Sequence, residues 1–119
     1  MARRDLTGAV DFAYLENFAA GDLGVVQEVL ALFGEQAAMW SGLLDSSHEG
    51  WRDALHTIKG ASRGVGAFAL GEACAKAEAA DTGDLDGVRD ALDAALADVA
   101  AYLHELALQS LKTPGGYAG

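Results

Sequence analysis

Residues 85–106, with the sequence LDGVRDALDAALADVAAYLHEL, carry the pattern that decides the fold class. Apolar side chains recur at every third or fourth residue, at Leu85, Val88, Leu92, Leu96, Val99, Leu103 and Leu106. Because an α-helix turns once in about 3.6 residues, this spacing collects them on one face. The stretch therefore predicts a long amphipathic helix whose apolar face packs against other helices.

The same helical spacing runs through the chain upstream of this stretch. It predicts a short first helix over about residues 10–20 and a second helix over about residues 22–44. Two further helices are expected over about residues 48–63 and 67–80, because glycine and aspartate clusters interrupt the pattern between them. Strand patterns are nearly absent, so the chain is expected to be all-helical.

The apolar positions of these helices also predict the core. The side chains expected to point inward are Val25, Val26, Val29, Phe33, Trp40 and Leu44 in the second helix, Trp51, Leu55, Ile58 and Ser62 in the third, and Leu70, Cys74 and Ala77 in the fourth. Four main amphipathic helices joined by short turns favour an antiparallel, up-down four-helix bundle with a short extra N-terminal helix.

The length and composition indicate one domain. The chain has 119 residues, of which 51% are hydrophobic and only one is proline. These values exclude the disordered and collagen-like classes. We assign residues 10–112 to the bundle domain and residues 1–9 to a flexible N-terminus. Residues 113–119, which are rich in glycine, are expected to form a disordered C-terminal tail.

The charge and cysteine content exclude several classes of function. The 18 acidic and 8 basic residues give a formal charge of −10, which argues against binding nucleic acid or an anionic membrane through bulk electrostatics. No secretory signal and no membrane-spanning apolar run are found, so a cytoplasmic protein is expected. The single Cys74 excludes a disulfide framework, and the three scattered histidines do not form a metal site.

The third predicted helix carries the candidate site. At about 100° per residue, His56 lies opposite the apolar face of this helix. Lys59, Gly60 and Arg63 follow it within two turns on the same side, and Arg52 lies one turn before it. A neutral imidazole has a lone pair for nucleophilic attack, and a neighbouring ammonium can hold an incoming phosphoryl group. Spacing alone fits an ordinary solvated helix face more often than a site.

Two further features favour a site at His56. A glycine inside a helix costs about 1 kcal/mol relative to alanine, and Gly60 removes side-chain bulk directly beside the imidazole. No acidic residue occurs from His56 to Leu70, so this acidic chain keeps a small positive region around the histidine. A phosphoryl group or another anionic partner could approach at this region.

The residues from His56 to Leu70, HTIKGASRGVGAFAL, resemble the signature of the histidine-containing phosphotransfer (HPt) family, H-x-x-K-G-[SA]-[SA]-x-x-x-G-[AL]-x-x-L. The similarity continues through Cys74 and Glu78, and upstream through the helix-Gly21-Asp22-helix segment with Phe33. It covers about residues 10–110. The resemblance implies a four-helix bundle that relays phosphoryl groups in multistep two-component signalling.

The resemblance also implies a role for each residue of the site. His56 would accept a phosphoryl group from a receiver-domain aspartyl-phosphate, typically of a hybrid histidine kinase, and pass it to the receiver of a response regulator. Lys59 would neutralise phosphate charge and Gly60 would leave room for the receiver. Ser62 or Glu78 would orient the imidazole, and Glu78 is a departure in charge from the glutamine that also occurs at its position.

The expected partners and cofactors follow from the same resemblance. The chain would be a phosphoryl carrier without autonomous kinase activity or an intrinsic cofactor, and Mg²⁺ would lie on the partner receiver. We expect receivers to dock around His56, on Arg52, Arg63, Leu15, Ala19 and Val26. A monomer that binds no nucleic acid and no membrane is expected.

Two alternative functions are compatible with the same fold. One is an HPt-like binding module that sequesters a kinase or receiver domain without being phosphorylated. The other is a purely structural or oligomerising helical bundle. The joint presence of His56, Lys59 and Gly60 favours the phosphoryl carrier, because neither alternative needs all three.

Overall fold

The structure, a computed structural model, describes residues 8–112, and within this range it contains five helices and no strand. These are α1 (Phe12–Phe18), α2 (Leu23–Leu43), α3 (Trp51–Val65), α4 (Phe68–Ala80) and α5 (Asp86–Lys112). The all-helical class is thereby confirmed. None of the helices in this range is long and apolar enough to cross a membrane.

The helix ends follow from local chemistry. Asp11 and Asp22 precede α1 and α2, and their carboxylates accept hydrogen bonds from backbone N–H groups of the first turn. Such N-caps satisfy donors that have no partner within the helix. At the C-terminal end of α3, Gly66 adopts the left-handed conformation with φ of 88°, and the Ala67 N–H donates to the Ser62 carbonyl. This glycine ends α3 and allows the chain to turn into α4.

The helices pack around one apolar core. α2 packs against α3, α3 against α4, α4 against α5 and α5 back against α2, while α1 contacts α2 and α3. The predicted inward positions of α3 and the two tryptophans are buried. In α2, however, Val25 is exposed and Leu30 and Ala37 are buried instead. Val25 falls outside the core because the buried stripe follows Val26 at steps of four and three residues.

The N-terminal segment and α1 are held by polar contacts to α5. The Ala9 N–H donates to the buried Asp98 carboxylate over 2.9 Å, and the Tyr102 hydroxyl donates to Glu16. Phe12 stacks on the Tyr102 ring with the centroids 4.2 Å apart. The prediction of a flexible N-terminus therefore does not hold for Ala9. Residues 1–7 and the predicted tail 113–119 lie outside the described residues.

Candidate functional site

His56 lies on the outer face of α3, with its side chain 77% exposed. The opposite face of the helix is buried and carries Leu55, Ile58, Ser62 and Val65, among others. Because these apolar residues fix the rotation of α3 in the bundle, His56 is presented to solvent on a rigid element. An imidazole in this position can be reached by another protein without any opening of the fold.

A single carboxylate from α4 lies between His56 and Lys59. Glu78 Oε1 is 2.5 Å from Lys59 Nζ, and Glu78 Oε2 is 3.6 Å from His56 Nδ1. The first contact is a charge-assisted hydrogen bond, whereas the second is an electrostatic contact just beyond hydrogen-bond distance. The carboxylate thus faces Nδ1, and the other ring nitrogen, Nε2, is the one left for attack on a phosphoryl group.

The electrostatic state of Glu78 follows from the same geometry. The hydrogen bond from Lys59 lowers the pKa of Glu78 below its usual range, partial burial acts in the opposite direction, and the charge of Lys59 and the contact with His56 lower it further. Glu78 is therefore ionised at neutral pH. The side chains of Lys59 and Glu78 are 23% and 27% exposed, so the pair is partly withdrawn from solvent.

Ser62 does not reach the imidazole. Its side chain is fully buried, and its hydroxyl donates to the Ile58 carbonyl one turn earlier, over 2.6 Å. Of the two residues expected to orient His56, Ser62 is therefore placed away from the imidazole, and Glu78 is the one that lies near it. The reason is the helical rotation of α3, which points position 62 into the core while position 56 points out of it.

The two arginines of the predicted positive region have different surroundings. Arg52 Nε is 2.6 Å from Asp81 Oδ1, and its guanidinium lies over the Trp51 ring, 4.2 Å from the centroid. Arg63 is exposed and lies beside Gly71 of α4. Glu78 of α4 and Asp81 at its C-cap thus neutralise part of the positive charge that the sequence of α3 alone predicts.

Gly60 and Gly64 make a smooth strip beside His56. A Cβ atom built on either glycine meets no atom within 4 Å outside its own helix. Steps of four residues place both glycines on one side of the His56 position, whereas Lys59 and Arg63 lie on the side that faces α4. The surface of α3 beside His56 is therefore open, and nothing within residues 8–112 requires these positions to lack a side chain.

The docking residues predicted on the first two helices are partly wrong. Leu15 and Val26 are buried in the core, and only Ala19 is partly accessible. Leu15 belongs to the inner face of α1 with Phe12, because the two are separated by one helical turn. Full burial of such side chains contributes about 1.5–3 kcal/mol each to stability, which is the role the structure gives them.

Exposed aromatic residues were missed as candidates. Tyr14 and Phe18 point outward from α1 at a spacing of four residues, and Phe18 is 78% exposed. Tyr14 meets the exposed Phe68 edge-to-face, with centroids 5.2 Å apart, next to the end of α3 at Gly66. The signal was present in the sequence, since a helix whose inner face is Phe12 and Leu15 must place residues 14 and 18 elsewhere.

No group of three or more histidine, cysteine, aspartate or glutamate side chains within residues 8–112 has an arrangement that would hold a metal ion. The site chemistry of the described chain is therefore that of an exposed imidazole, a carboxylate and an ammonium. This set can accept and hold an anionic group.

Comparisons with known proteins show the family of this chain. A family model described as the Hpt domain matches residues 16–109, which is more than half of the chain. The crystal structure of histidine phosphotransferase ShpA from Caulobacter crescentus is 68% identical in sequence, with a TM-score of 0.83 over 87% of this chain and 99% of that chain. Among curated proteins, no sequence matches this chain. The chain belongs to the Hpt domain family.

Proposed function

We propose that this chain is the histidine phosphotransfer protein of a phosphorelay, with His56 as the phosphoacceptor. The observation that carries the proposal is the exposed imidazole on α3, whose Nδ1 faces Glu78 and whose neighbour is the Lys59 ammonium. Family membership and the similarity to a histidine phosphotransferase support the same role. A phosphoryl carrier needs an accessible nucleophile and charge compensation, and this face of α3 has both.

The transfer is a displacement at phosphorus. The lone pair of His56 Nε2 forms the N–P bond, and the O–P bond of the donor's aspartyl-phosphate breaks, leaving a free carboxylate on the donor. The ring gains positive charge in this step, and the Glu78 carboxylate faces its Nδ1 atom, the nitrogen that does not take part in the bond to phosphorus. The reverse sequence passes the group to a second receiver. Mg²⁺ is expected on the receiver, and this chain supplies no cofactor and no autonomous kinase activity.

We further infer that receivers dock on the face formed by His56, Gly60, Gly64 and the exposed aromatic residues Tyr14, Phe18 and Phe68. The glycines allow a close approach to the imidazole, and the aromatic rings provide the apolar area that interface centres require. Arg52 and Arg63 would lie at the rim of this surface. Ala19 remains a candidate, whereas Leu15 and Val26 do not.

The proposal also covers the arrangement of the helices, the oligomeric state and the cellular compartment. The closed order of packing from α2 through α5, together with short connections, supports an antiparallel, up-down four-helix arrangement with α1 as the extra helix. We infer a cytoplasmic monomer that binds receiver domains and neither nucleic acid nor membranes, in keeping with the net charge of −10.

Phosphorylation of this chain by a receiver tests the proposal. The protein is mixed with a receiver carrying labelled aspartyl-phosphate, and acid-labile, alkali-stable phosphate on the chain is measured. We expect His56→Gln to abolish the label and leave the helical circular dichroism signal unchanged. His104→Gln is the matched control, because His104 is also exposed on a helix, and it should keep the full label.

Two results would contradict the proposal. Label that persists in His56→Gln would place the phosphoacceptor elsewhere. No label on the wild-type chain with any receiver of its own organism would favour the alternative module that binds kinases or receivers without being phosphorylated.

A further inference from the structure

The Lys59 ammonium is already occupied in the unphosphorylated protein. Its distance of 2.5 Å from Glu78 Oε1 is that of a direct ion pair, and both side chains are partly withdrawn from solvent. The hydrogen bond from Lys59 also lowers the pKa of Glu78, as expected for a cation that stabilises the charged carboxylate. A charge that is engaged in this way is not free for another anion.

A phosphoryl group on His56 would need the same ammonium. Lys59 lies three residues after His56, so its long side chain can reach a group attached to the imidazole on the same helix face. A phosphoryl group carries about −1.5 to −2 charges at neutral pH, and it would stand close to the Glu78 carboxylate. Two anionic groups on one side of α3 would then face one lysine.

The other cations near His56 do not replace Lys59. Arg52 is held by Asp81 over 2.6 Å and lies against the Trp51 ring. Arg63 lies a further turn along the helix from Lys59, beside Gly71, and is exposed to solvent. Among the residues that the structure describes, Lys59 is therefore the cation whose position decides how well charge on His56 is compensated.

We propose that Glu78 and the phosphoryl group on His56 compete for the Lys59 ammonium, so that phosphorylation moves Lys59 from Glu78 to the phosphoryl group. The proposal rests on His56 being the phosphoacceptor. Breaking the Lys59–Glu78 pair, and leaving Glu78 near a second anion, lowers the stability of the phosphorylated form. Glu78 thereby acts as a positioning residue that makes the carrier release its phosphoryl group more readily.

The equilibrium of phosphoryl transfer measures this competition. A labelled receiver is equilibrated with wild type or Glu78→Gln, and the ratio of phosphorylated carrier to phosphorylated receiver is determined. Because the same receiver is used throughout, its own free energy of phosphorylation cancels when the equilibrium constants of two carrier variants are compared. We expect Glu78→Gln to raise the transfer equilibrium constant toward the carrier about 2- to 5-fold, the effect of releasing a partly exposed ion pair.

Two control variants separate competition from a simple charge effect. Glu72→Gln removes one exposed carboxylate from the same helix without touching Lys59, and it should change the equilibrium constant little. In a Lys59→Ala background there is no ammonium to compete for. The increase caused by Glu78→Gln should therefore be clearly smaller there than in the wild-type background.

The outcomes distinguish this inference from the function on which it rests. If wild type is labelled on His56 but Glu78→Gln leaves the equilibrium constant unchanged, or raises it equally in the Lys59→Ala background, the competition is overturned and the carrier function stands. If phosphoramidate, a small phosphoryl donor that needs no docking surface, and phosphorylated receivers both fail to label His56, the carrier function itself is overturned. Phosphohistidine is detected by ³¹P NMR in either case.

Discussion

At the scale of single residues, Gly60 is a position where the residue that is best for stability differs from the residue that the proposed function favours. It lies in the interior of α3, where glycine costs about 0.5–1 kcal/mol relative to alanine, and a Cβ built on it meets no atom of the described residues within 4 Å outside its own helix. The fold would therefore gain from a side chain at this position. Under the proposed function, a receiver that approaches His56 closely would be the reason for a glycine at this position.

This separation gives a prediction. Gly60→Ala should raise the free energy of unfolding by about 0.5–1 kcal/mol, measured by urea denaturation. Gly60→Gln should also keep or raise stability but slow phosphoryl transfer from a receiver about tenfold or more, because its side chain stands where the partner must approach. Gly34→Gln, in the interior of α2 and also without a steric clash, is the matched control and should leave the transfer rate unchanged. Parallel losses of stability and transfer in Gly60→Gln would make Gly60 a packing residue.

Glu78 gives a second prediction at this scale, which concerns pH. Its pKa is lowered in the folded protein, chiefly by the hydrogen bond from Lys59, so the unfolded chain binds a proton more readily than the folded one. The stabilisation is thus fully present above the unfolded pKa of about 4.3 and is lost as the pH falls through the lower folded value. Glu78→Gln should lose less stability than wild type on acidification through this range, measured by urea unfolding at several pH values. Identical pH profiles would show that the Lys59–Glu78 pair contributes nothing to stability.

At the scale of the helix, α3 determines which residues face outward beside His56, and it ends abruptly at Gly66. Periodicity alone predicted that His56, Lys59, Gly60 and Arg63 share the outer face, because these residues lie within two turns of one helix. It did not predict that Lys59 pairs with Glu78 or Arg52 with Asp81. Those contacts depend on how α4 is rotated and shifted against α3, which spacing within either helix does not determine.

The end of α3 at Gly66 can be tested directly. Gly66 has φ of 88°, and a Cβ placed on it would come within 2.6 Å of the Asp11 carbonyl oxygen. Gly66→Ala should therefore lower the free energy of unfolding by about 2 kcal/mol or more, from backbone strain and the displaced α1 segment. Gly64→Ala, two residues earlier in helical conformation and with open space around it, should be neutral or stabilising. Equal effects of the two substitutions in urea denaturation would contradict this account of the turn.

At the scale of the whole molecule, the unequal lengths of the helices explain why α1 is needed. α5 spans 27 residues, about 40 Å, whereas α4 spans 13 residues, about 20 Å. The second half of α5 therefore extends beyond α4, and α1 covers part of it through Phe12 and Glu16, which meet Tyr102. The short first helix is thus part of the core at this end of the bundle.

The expectations that failed are those that depend on how whole helices pack against one another. The sequence predicted the number and order of the helices, because each has its own apolar periodicity. It misassigned Leu15 to a docking surface, because spacing within α1 does not show which face of this short helix packs against the rest of the bundle. It also missed Tyr102 and the buried Asp98, since a polar residue on an apolar face is explained only by the partner it meets.

The buried position of Cys74 makes its thiol a probe of local opening in this bundle. Its thiol is buried in the core and burial raises its pKa to about 11, so thiol reagents find neither an exposed nor an ionised sulfur in the closed protein. Modification of this sulfur requires local opening of α4. Cys74 lies one turn before Glu78, so an opening that frees the thiol also takes the carboxylate away from Lys59. The rate at which this one sulfur atom is labelled therefore reports how often the Lys59–Glu78 pair beside His56 opens.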